Sequence, residues 1–428
     1  MTGLGRPFWR LYASSATSNL ADGIGRTALP LLATSYTRSP LLISGLVSLA
    51  FLPWLLFALP SGALVDRVDR RYAMAAANAA RAVSVLTLAV LVLAGAAGIA
   101  VLYIVAFALG MAETVYDSAS RAILPQVVAA NRLDGANGLL TIEETLGQNF
   151  LGAPLGSALF AFALAVPFLV NASGFAAAAI LVLTLRGRYR PVRAAQRTSI
   201  RRDVADGVRW LSAHRFLRGL TVVSAATAFV QSMATGILVL YVLETLRLPS
   251  GDFGFVLVGA GVGAITGGVC TPPLARRFGR APVLVVGAVI SAIGMALMGL
   301  TRNGYVAGVL FGVSGAGVMT WNVLTMSLRQ ALIPHALFGR VQGAYRTLVW
   351  GAIPLGSLSG GLLAHGLGLP PVFVISGAGL LVLAGVLALL LRTHADQLAG
   401  GDAVLPDQLG AERGLLPPEQ VTGVVECA

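Results

Sequence analysis

The sequence predicts an all-α membrane protein whose twelve transmembrane helices form two pseudo-symmetric six-helix bundles. Its 428 residues are 56% hydrophobic and only 11% charged, and the mean hydropathy is +0.81. Apolar runs of about 20 residues recur along the chain, which is the length of helix that crosses a hydrocarbon core. Stretches such as Ala82 to Ala94 do not alternate apolar and polar residues, as the strands of a transmembrane barrel would.

The apolar runs also predict where each span lies. We number the spans one to twelve and place them at roughly 10–37, 41–65, 72–94, 100–121, 137–163, 166–185, 217–246, 252–275, 282–300, 304–330, 338–365 and 370–391. The predicted domains are an N-terminal bundle at 1–185, a cytoplasmic Arg-rich linker at 186–216, a C-terminal bundle at 217–392 and a disordered cytoplasmic tail at 393–428. Within the linker, Asp203 to Leu211 could form a short amphipathic helix on the membrane surface.

Arginine is distributed unequally between the two ends of the predicted bundle. The Arg-rich end carries Arg6, Arg10, Arg67, Arg70, Arg71, Arg132, the segment from Arg186 to Arg218, Arg276, Arg277, Arg280, Arg340 and Arg392. The Arg-poor end carries Arg38, Arg247 and Arg302. Because basic loops stay in the cytoplasm, we expect a multi-pass protein of the cell membrane with both termini cytoplasmic.

The same composition argues against several classes of function. All 30 basic residues are Arg, and without Lys the chain has neither a Walker A loop nor a Schiff-base lysine. The net charge of +12 comes from loops that alternate with spans, so we expect no nucleic-acid partner. The two Cys and four His show no metal-ligand spacing. We therefore expect no enzyme activity, no cofactor and no metal.

The sequences of the two halves of the chain resemble each other, which indicates an internal repeat. A shift of 209 residues aligns Gly45 with Gly254, Arg67 with Arg276, Arg71 with Arg280 and Pro125 with Pro334. The same shift places Asp22 on Gln231 and Glu113 on Asn322, so the repeats keep polarity there but divide the charge unequally. Parallel repeats that enclose a midplane site are typical of transporters. We therefore expect proton coupling in the first half, while the second half shapes the substrate site.

Several motifs resemble the major facilitator superfamily. The stretch from Gly62 to Arg71, GALVDRVDRR, resembles the family's signature between spans two and three, and Leu274 to Arg280 resembles its weaker copy. Gly147 to Gly156 resembles the Gly-Pro motif of exporters, although one residue separates Gly from Pro and Ser157 replaces a second Gly. Glu113 to Pro125, followed by Asn131 to Gly138, resembles the branch of macrolide and siderophore exporters.

This resemblance implies a gate at the cytoplasmic end. In the family, an acid of span four pairs with an arginine of the loop after span two and helps to latch the outward-facing state. The resemblance thus implies a gate formed by Gly62, Asp66, Arg67, Arg70 and Asp117. The alternative is that the loop arginines only fix the topology.

Four ionisable residues at membrane depth are candidates for proton coupling, since such groups are costly unless paired or functional. Asp22 and Arg26 lie four apart on one face of span one. Arg81 in span three and Glu113 in span four lie at matching depth, so we expect them to pair. The alternative for both pairs is a permanent structural bridge.

The substrate cavity and a bend in span five complete the candidate site. Glu143, Gln231, Asn322 and Arg346 are the residues expected to face the cavity, Arg346 as a partner for an anionic group or as a packing residue. The residues expected to allow close approach and a bend are Gly147, Gly152, Pro154 and Gly156.

Together these features predict a monomeric secondary transporter in the lipid bilayer. The resemblance implies a proton-coupled antiporter that exports a small, partly apolar molecule, such as an antibiotic, a natural product or a siderophore. Its partners would be that substrate and protons. The alternatives are an importer or facilitator of the same fold, and a membrane scaffold or sensor that transports nothing.

Overall fold

Long helices make up nearly all of the computed structural model, which describes residues 4–65, 67–129, 132–187, 189–190, 200–334 and 337–394. The described part contains no strand, and the predicted all-α membrane fold is confirmed. The first half consists of α1 (Arg6–Tyr36), α2 (Pro40–Val65), α3 (Arg70–Leu93), α4 (Ile99–Val127), α5 (Leu133–Thr145), a π-helical turn (Leu146–Gly152), α6 (Ala153–Phe162) and α7 (Val166–Leu183).

The second half repeats this order. It consists of α8 (Ile200–Ala213), α9 (Arg215–Thr235), α10 (Leu238–Leu240) with a π-helical turn (Tyr241–Thr245), α11 (Phe253–Phe278), α12 (Arg280–Met298), α13 (Gly304–Leu332), α14 (Phe338–Leu367) and α15 (Leu369–Thr393). The helix α8 covers the segment predicted to be amphipathic. It packs on the C-terminal bundle, since a Cβ on Gly207 would lie 2.5 Å from the carbonyl oxygen of Arg340. Of the predicted tail, residues 395–428 lie outside the described residues.

Ten helical segments in the described part are long and apolar enough to cross a membrane. The two predicted spans that do not reach that level of apolarity are span one, which is α1, and span five, which runs from α5 to α6. Span one carries Asp22 and Arg26, and span five carries Glu143 and Glu144. These charges lower the mean hydropathy of both spans.

Local sequence signals determine where the helices begin and end. The side chain of Asp69 caps α3 by accepting a hydrogen bond from the backbone N–H of Arg71 at 3.1 Å. Asn303 caps α13 in the same way. Gly279 and Gly368 each adopt φ = 87°, a conformation that favours glycine, and each separates two consecutive helices.

The helix contacts within and between the two bundles follow the internal repeat. Spans two and eight pack on spans four and ten within their own halves, as α2 on α4 and α11 on α13. Between the halves, α2 packs on α14, and α6 packs on α11. Spans two and five of the first half correspond to spans eight and eleven of the second, so the two contacts between halves are related by the repeat.

These contacts between the halves lie toward the Arg-poor end. Ser48 Oγ donates to the carbonyl oxygen of Pro354 at 2.8 Å, and Ser357 Oγ donates to the carbonyl oxygen of Ser44 at 2.9 Å. Arg38 and Glu244, at the tip of this end, lie 3.6 Å apart. The structure therefore closes the Arg-poor end.

Candidate functional site

The most deeply buried charge in the described part belongs to Arg81, at the middle of α3. Its side chain is 1% exposed, and its Nη1 donates to Asp22 Oδ2 at 3.1 Å. The same nitrogen lies 3.4 Å from Ser18 Oγ, and the rings of Tyr116 and Phe175 lie 5.1 and 5.2 Å from its Cζ. The Nε and Nη2 atoms have no hydrogen-bond partner. Asp22 is thus the carboxylate that balances this buried cation.

A second ion pair lies one helical turn farther along α1. Arg26 Nη2 donates to Glu113 Oε1 of α4 at 2.5 Å. This pair is less buried, with side chains 49% and 21% exposed. Asp22, Arg26 and Glu113 line one cavity of about 220 Å³ together with apolar side chains such as Phe51 and Trp54.

The expected pairing between Arg81 and Glu113 is therefore wrong, and Asp22 and Arg26 do not pair with each other. Depth along a span predicts which residues share a level, but it does not determine how each helix is rotated about its axis. Side chains at positions i and i+4 of α1 share a face, yet here one reaches α3 and the other reaches α4. The four predicted residues do form one cluster, with crossed partners.

A third polar group joins α1 to span five. Asn19 Nδ2 donates to Glu143 Oε1 at 3.1 Å, and Gln148 Nε2 donates to Asn19 Oδ1 at 2.9 Å. Glu143 is 5% exposed, and its Oε2 has no partner. This cluster lines a cavity of about 190 Å³, which Arg121 and Glu144 continue toward the Arg-rich end.

The predicted bend in span five coincides with a π-helical turn at Leu146–Gly152, a feature that is frequent at functional sites. A Cβ on Gly147 would lie 3.2 Å from the backbone nitrogen of Leu20, and a Cβ on Gly152 would lie 2.7 Å from Gly23 Cα. Pro154 lies in the first turn of α6. These glycines let span five lie directly on α1, which places Glu143 against Asn19.

The predicted gate residues do not pair as expected in this state. Asp117 Oδ2 accepts from Arg121 Nη2 at 3.4 Å, a partner one turn away on the same helix. Arg70 instead donates to the carbonyl oxygen of Ala122 at 2.8 Å, and Arg67 is exposed. Gly62 has open space around its Cα, and Asp66 lies outside the described residues. Asp117 is thus satisfied locally, and the loop arginine is anchored to a backbone carbonyl.

The second half provides a smaller cavity and two cations. Gln231 and Asn322 line a cavity of about 100 Å³ beside Trp321 and Tyr345, so these two predicted residues do come together. Arg346 lies elsewhere, at the interface between the halves. Its Cζ is 4.6 Å from the ring of Trp350 and 5.5 Å from that of Trp54.

Arg329 is a buried cation that the sequence analysis did not single out. It lies in the last turn of α13 and is 7% exposed, with its Cζ 3.8 Å from the centroid of the Tyr345 ring. An arginine near the end of a span normally lies at the membrane interface, so the position of Arg329 in the sequence does not indicate that it is buried. Only its burial distinguishes it from the loop arginines.

Comparisons with known proteins place the chain in a family. A family model described as transmembrane secretion effector, within the major facilitator superfamily, matches residues 5–409. The chain belongs to this family. An uncharacterised MFS-type transporter of Mycobacterium tuberculosis is 29% identical over 406 residues, covering 87% of this chain and 88% of that protein. The multidrug efflux pump Tap of Mycolicibacterium fortuitum is 26% identical over 402 residues, covering 92% and 98%.

The solved structures show that the fold is shared more widely. The nucleoside transporter NupG superimposes with a TM-score of 0.73 at 14% identity, covering 91% of this chain and all of that one. At this identity the likeness concerns the fold alone. The chain is thus a multi-pass membrane protein with the major facilitator architecture, and its family and fold are those of transporters.

The charges in the interior of the protein are divided between its halves. The first half carries the carboxylates of Asp22, Glu113, Asp117 and Glu143 around α1, α4 and α5. The second half presents Arg329 and Arg346, for which the described residues provide no ion-pair partner within 4 Å. The buried carboxylates thus lie in the first half, and the arginines without an ion-pair partner lie in the second.

Proposed function

We propose that this protein is a proton-coupled antiporter that exports a small, partly apolar molecule by alternating access. It would act as a monomer in the cytoplasmic membrane, with both termini inside. The observation that supports this most strongly is the ion pair between Arg81 and Asp22, because it places a titratable group beside a cation that has no other carboxylate partner.

The pair between Arg81 and Asp22 supplies a switch. Breaking a buried ion pair leaves an uncompensated charge, which costs about 3–5 kcal/mol. Protonation of Asp22 would impose that cost on Arg81, which is 1% exposed and already lacks partners for Nε and Nη2. The pair joins α1 to α3, so its release would free α1 to move relative to the rest of the first half.

The pair between Arg26 and Glu113 links this switch to the cavity. Both residues line the same cavity as Asp22, and Arg26 lies one turn from Asp22 on α1. Movement of α1 would therefore also disturb the second pair. A proton taken up from outside by Asp22 or Glu113 would leave toward the cytoplasm after the halves rock, and substrate would travel in the opposite direction.

Two observations favour export of a partly apolar molecule. The cavity beside the ion pairs is lined by apolar side chains such as Leu46, Phe51 and Trp54 as well as by the charged groups. The similarity to the multidrug efflux pump Tap extends over nearly the whole chain. Substrate would enter from the Arg-rich end, which is the end not closed by the contacts between the halves.

The test is transport by purified protein in proteoliposomes that contain the pH indicator pyranine. We expect ethidium, a lipophilic cation, or dansylglycinamide, a neutral aromatic amide, to move in the direction opposite to the protons when a pH gradient is imposed. The accompanying proton movement should change the internal pH that pyranine reports. Movement in the same direction as protons would instead indicate an importer. Vesicles that move neither dye nor protons would contradict transport and favour a scaffold.

A further inference from the structure

We infer that Arg329, Gln342 and Arg346 form a subsite that binds an anionic group, a carboxylate or a phosphate, of the transported molecule. This inference rests on the proposed function, since it concerns how the exported molecule is recognised. We call these three residues the anion subsite. They lie on α13 and α14, toward the Arg-rich end of the second half.

Within the described part of the chain, Arg329 is a buried cation that has no ion-pair partner within 4 Å. It is 7% exposed, and its Nε and Nη1 have no hydrogen-bond partner. Its Nη2 lies 3.5 Å from the sulfur of Met326, which is a weak acceptor, and its side chain also interacts with that of Tyr345. A buried guanidinium whose donors are largely unused is costly unless an acceptor arrives in another state or with a ligand.

Gln342 and Arg346 of α14 also have unused polar atoms. Gln342 Nε2 lies 3.9 Å from the Met326 sulfur that Arg329 contacts, and its Oε1 has no partner. Arg346 follows Gln342 by four residues on α14, so the two side chains share a helix face. Arg346 also has an unsatisfied nitrogen, Nη2. Gln342 thus adjoins Arg329 at Met326, and Arg346 lies one turn farther along the same face of α14.

The carboxylates of the described C-terminal bundle lie far from the anion subsite. The only carboxylates of the described C-terminal bundle are Glu244 and Asp252, which lie at the Arg-poor end. The nearest acids across the interface are Asp117 and Glu144, which interact electrostatically with Arg346 but are more than 4 Å from it. The described residues of the C-terminal bundle therefore provide no carboxylate for the subsite.

The surroundings favour a ligand with an aromatic or apolar body. Arg346 lies against Trp350 and Trp54, whose rings are 4.3 Å apart, and Arg329 lies over Tyr345. A guanidinium presents a planar fork of donors that matches carboxylate and phosphate. The geometry thus fits an amphiphile whose anionic group lies at the arginines and whose apolar part lies along the aromatic rings.

The test compares two probes that differ by one charge. Dansylglycine carries a carboxylate, and dansylglycinamide carries a neutral amide on the same aromatic body. Fluorescence titration of the purified protein in phosphatidylcholine nanodiscs should show at least about tenfold tighter binding of the acid. Arg329→Gln and Arg346→Gln should each bring the ratio of acid affinity to amide affinity close to one. Arg302→Gln, at the Arg-poor end, is the matched control and should behave as the wild type.

Several outcomes would overturn the proposal. Equal binding of the two probes to the wild type would do so, as would an undiminished preference in both Arg variants. Nanodiscs that contain phosphatidylglycerol provide a further arm: abolition of acid binding by this lipid would assign the subsite to a lipid headgroup. If Arg329→Gln does not fold, the affinities of the two probes for Arg346→Gln still test the proposal. Because binding is measured without a gradient, a failure of proton coupling would leave the result interpretable.

Discussion

Arg81 Nη1 donates to Asp22 Oδ2 at 3.1 Å, so a cation at the middle of α3 is balanced by a carboxylate of α1. The neighbouring pair, Arg26 with Glu113, is shorter at 2.5 Å but much more exposed. Exposure affects the strength of these pairs more than distance does. Water screens an exposed ion pair and weakens it, whereas solvent cannot replace the lost partner of a buried charge. The two pairs should therefore differ in both energy and function.

Double-mutant cycles should reveal that difference. We expect Arg81→Gln combined with Asp22→Asn to give a coupling energy of about 2 kcal/mol, whereas Arg26→Gln combined with Glu113→Gln should give less than about 1 kcal/mol. The measurement is the free energy of unfolding in mixed detergent micelles. Equal coupling energies would show that the burial of Arg81 has no energetic consequence.

Glu143 should tolerate loss of its charge. Its carboxylate is buried, accepts one hydrogen bond from Asn19, and has no cationic partner within 4 Å among the described residues. Because an unpaired buried carboxylate is costly, Glu143→Gln should leave the thermal unfolding temperature unchanged or raise it by a few degrees.

The exposed neighbour provides the control for that variant. Glu144→Gln should have no effect on the unfolding temperature, since its side chain lies in the wider part of the cavity. A fall of several degrees in Glu143→Gln alone would mean that the ionised carboxylate is held by a cation that this state does not show.

The contact between α11 and α13 should be sensitive to a single methyl group. Gly263 lies so close to the carbonyl oxygen of Gly312 that a Cβ would overlap it, whereas a Cβ on Gly268 would be 3.5 Å from Met319 Cγ. Gly263→Ala should thus lower the free energy of unfolding by about 2 kcal/mol. Gly268→Ala should stay within about 1 kcal/mol of the wild type, because only helix propensity changes. Equal effects would contradict the packing described here.

Locking the Arg-poor end should stop transport. Arg38 and Glu244 lie 3.6 Å apart across the two halves and are both accessible. In a background with Cys270→Ser and Cys427→Ser, the pair Arg38→Cys and Glu244→Cys can be joined by a short bis-methanethiosulfonate reagent. Transport should fall to background and return after reduction, because the closed end must open in each cycle.

Each single Cys variant is the control for this experiment. Treated with the same reagent, Arg38→Cys alone and Glu244→Cys alone should retain transport. Full activity in the cross-linked double variant would show that the segment after α1 and the π-helical turn after α10 need not separate.

Much of the architecture could be predicted from the sequence because lipid constrains it strongly. The spans, the repeat and the polar position of Asp22 follow from hydropathy and spacing, which depend on chain position alone. The partners within the cluster depend also on helix rotation and on which neighbours flank α1. Arg81 was therefore assigned to Glu113 at matching depth, whereas it pairs with Asp22.

Two features at the site had weaker signals. The glycines at 147, 152 and 156 indicated close packing, but the π-helical register of Leu146–Gly152 depends on contact with α1 and leaves no periodic pattern. Arg329 resembles an ordinary interfacial arginine in sequence, and only the packing of α14 over it shows that it is buried.

The most direct measurement of the central claim separates proton coupling from substrate movement in Asp22→Asn and Glu113→Gln. In proteoliposomes, both variants should lose accumulation of ethidium or dansylglycinamide driven by a pH gradient yet keep exchange of labelled for unlabelled probe without a gradient. Glu244→Gln, a carboxylate at the Arg-poor end, should retain both. Full gradient-driven accumulation in both Asp22→Asn and Glu113→Gln would contradict the assignment of proton coupling to these carboxylates.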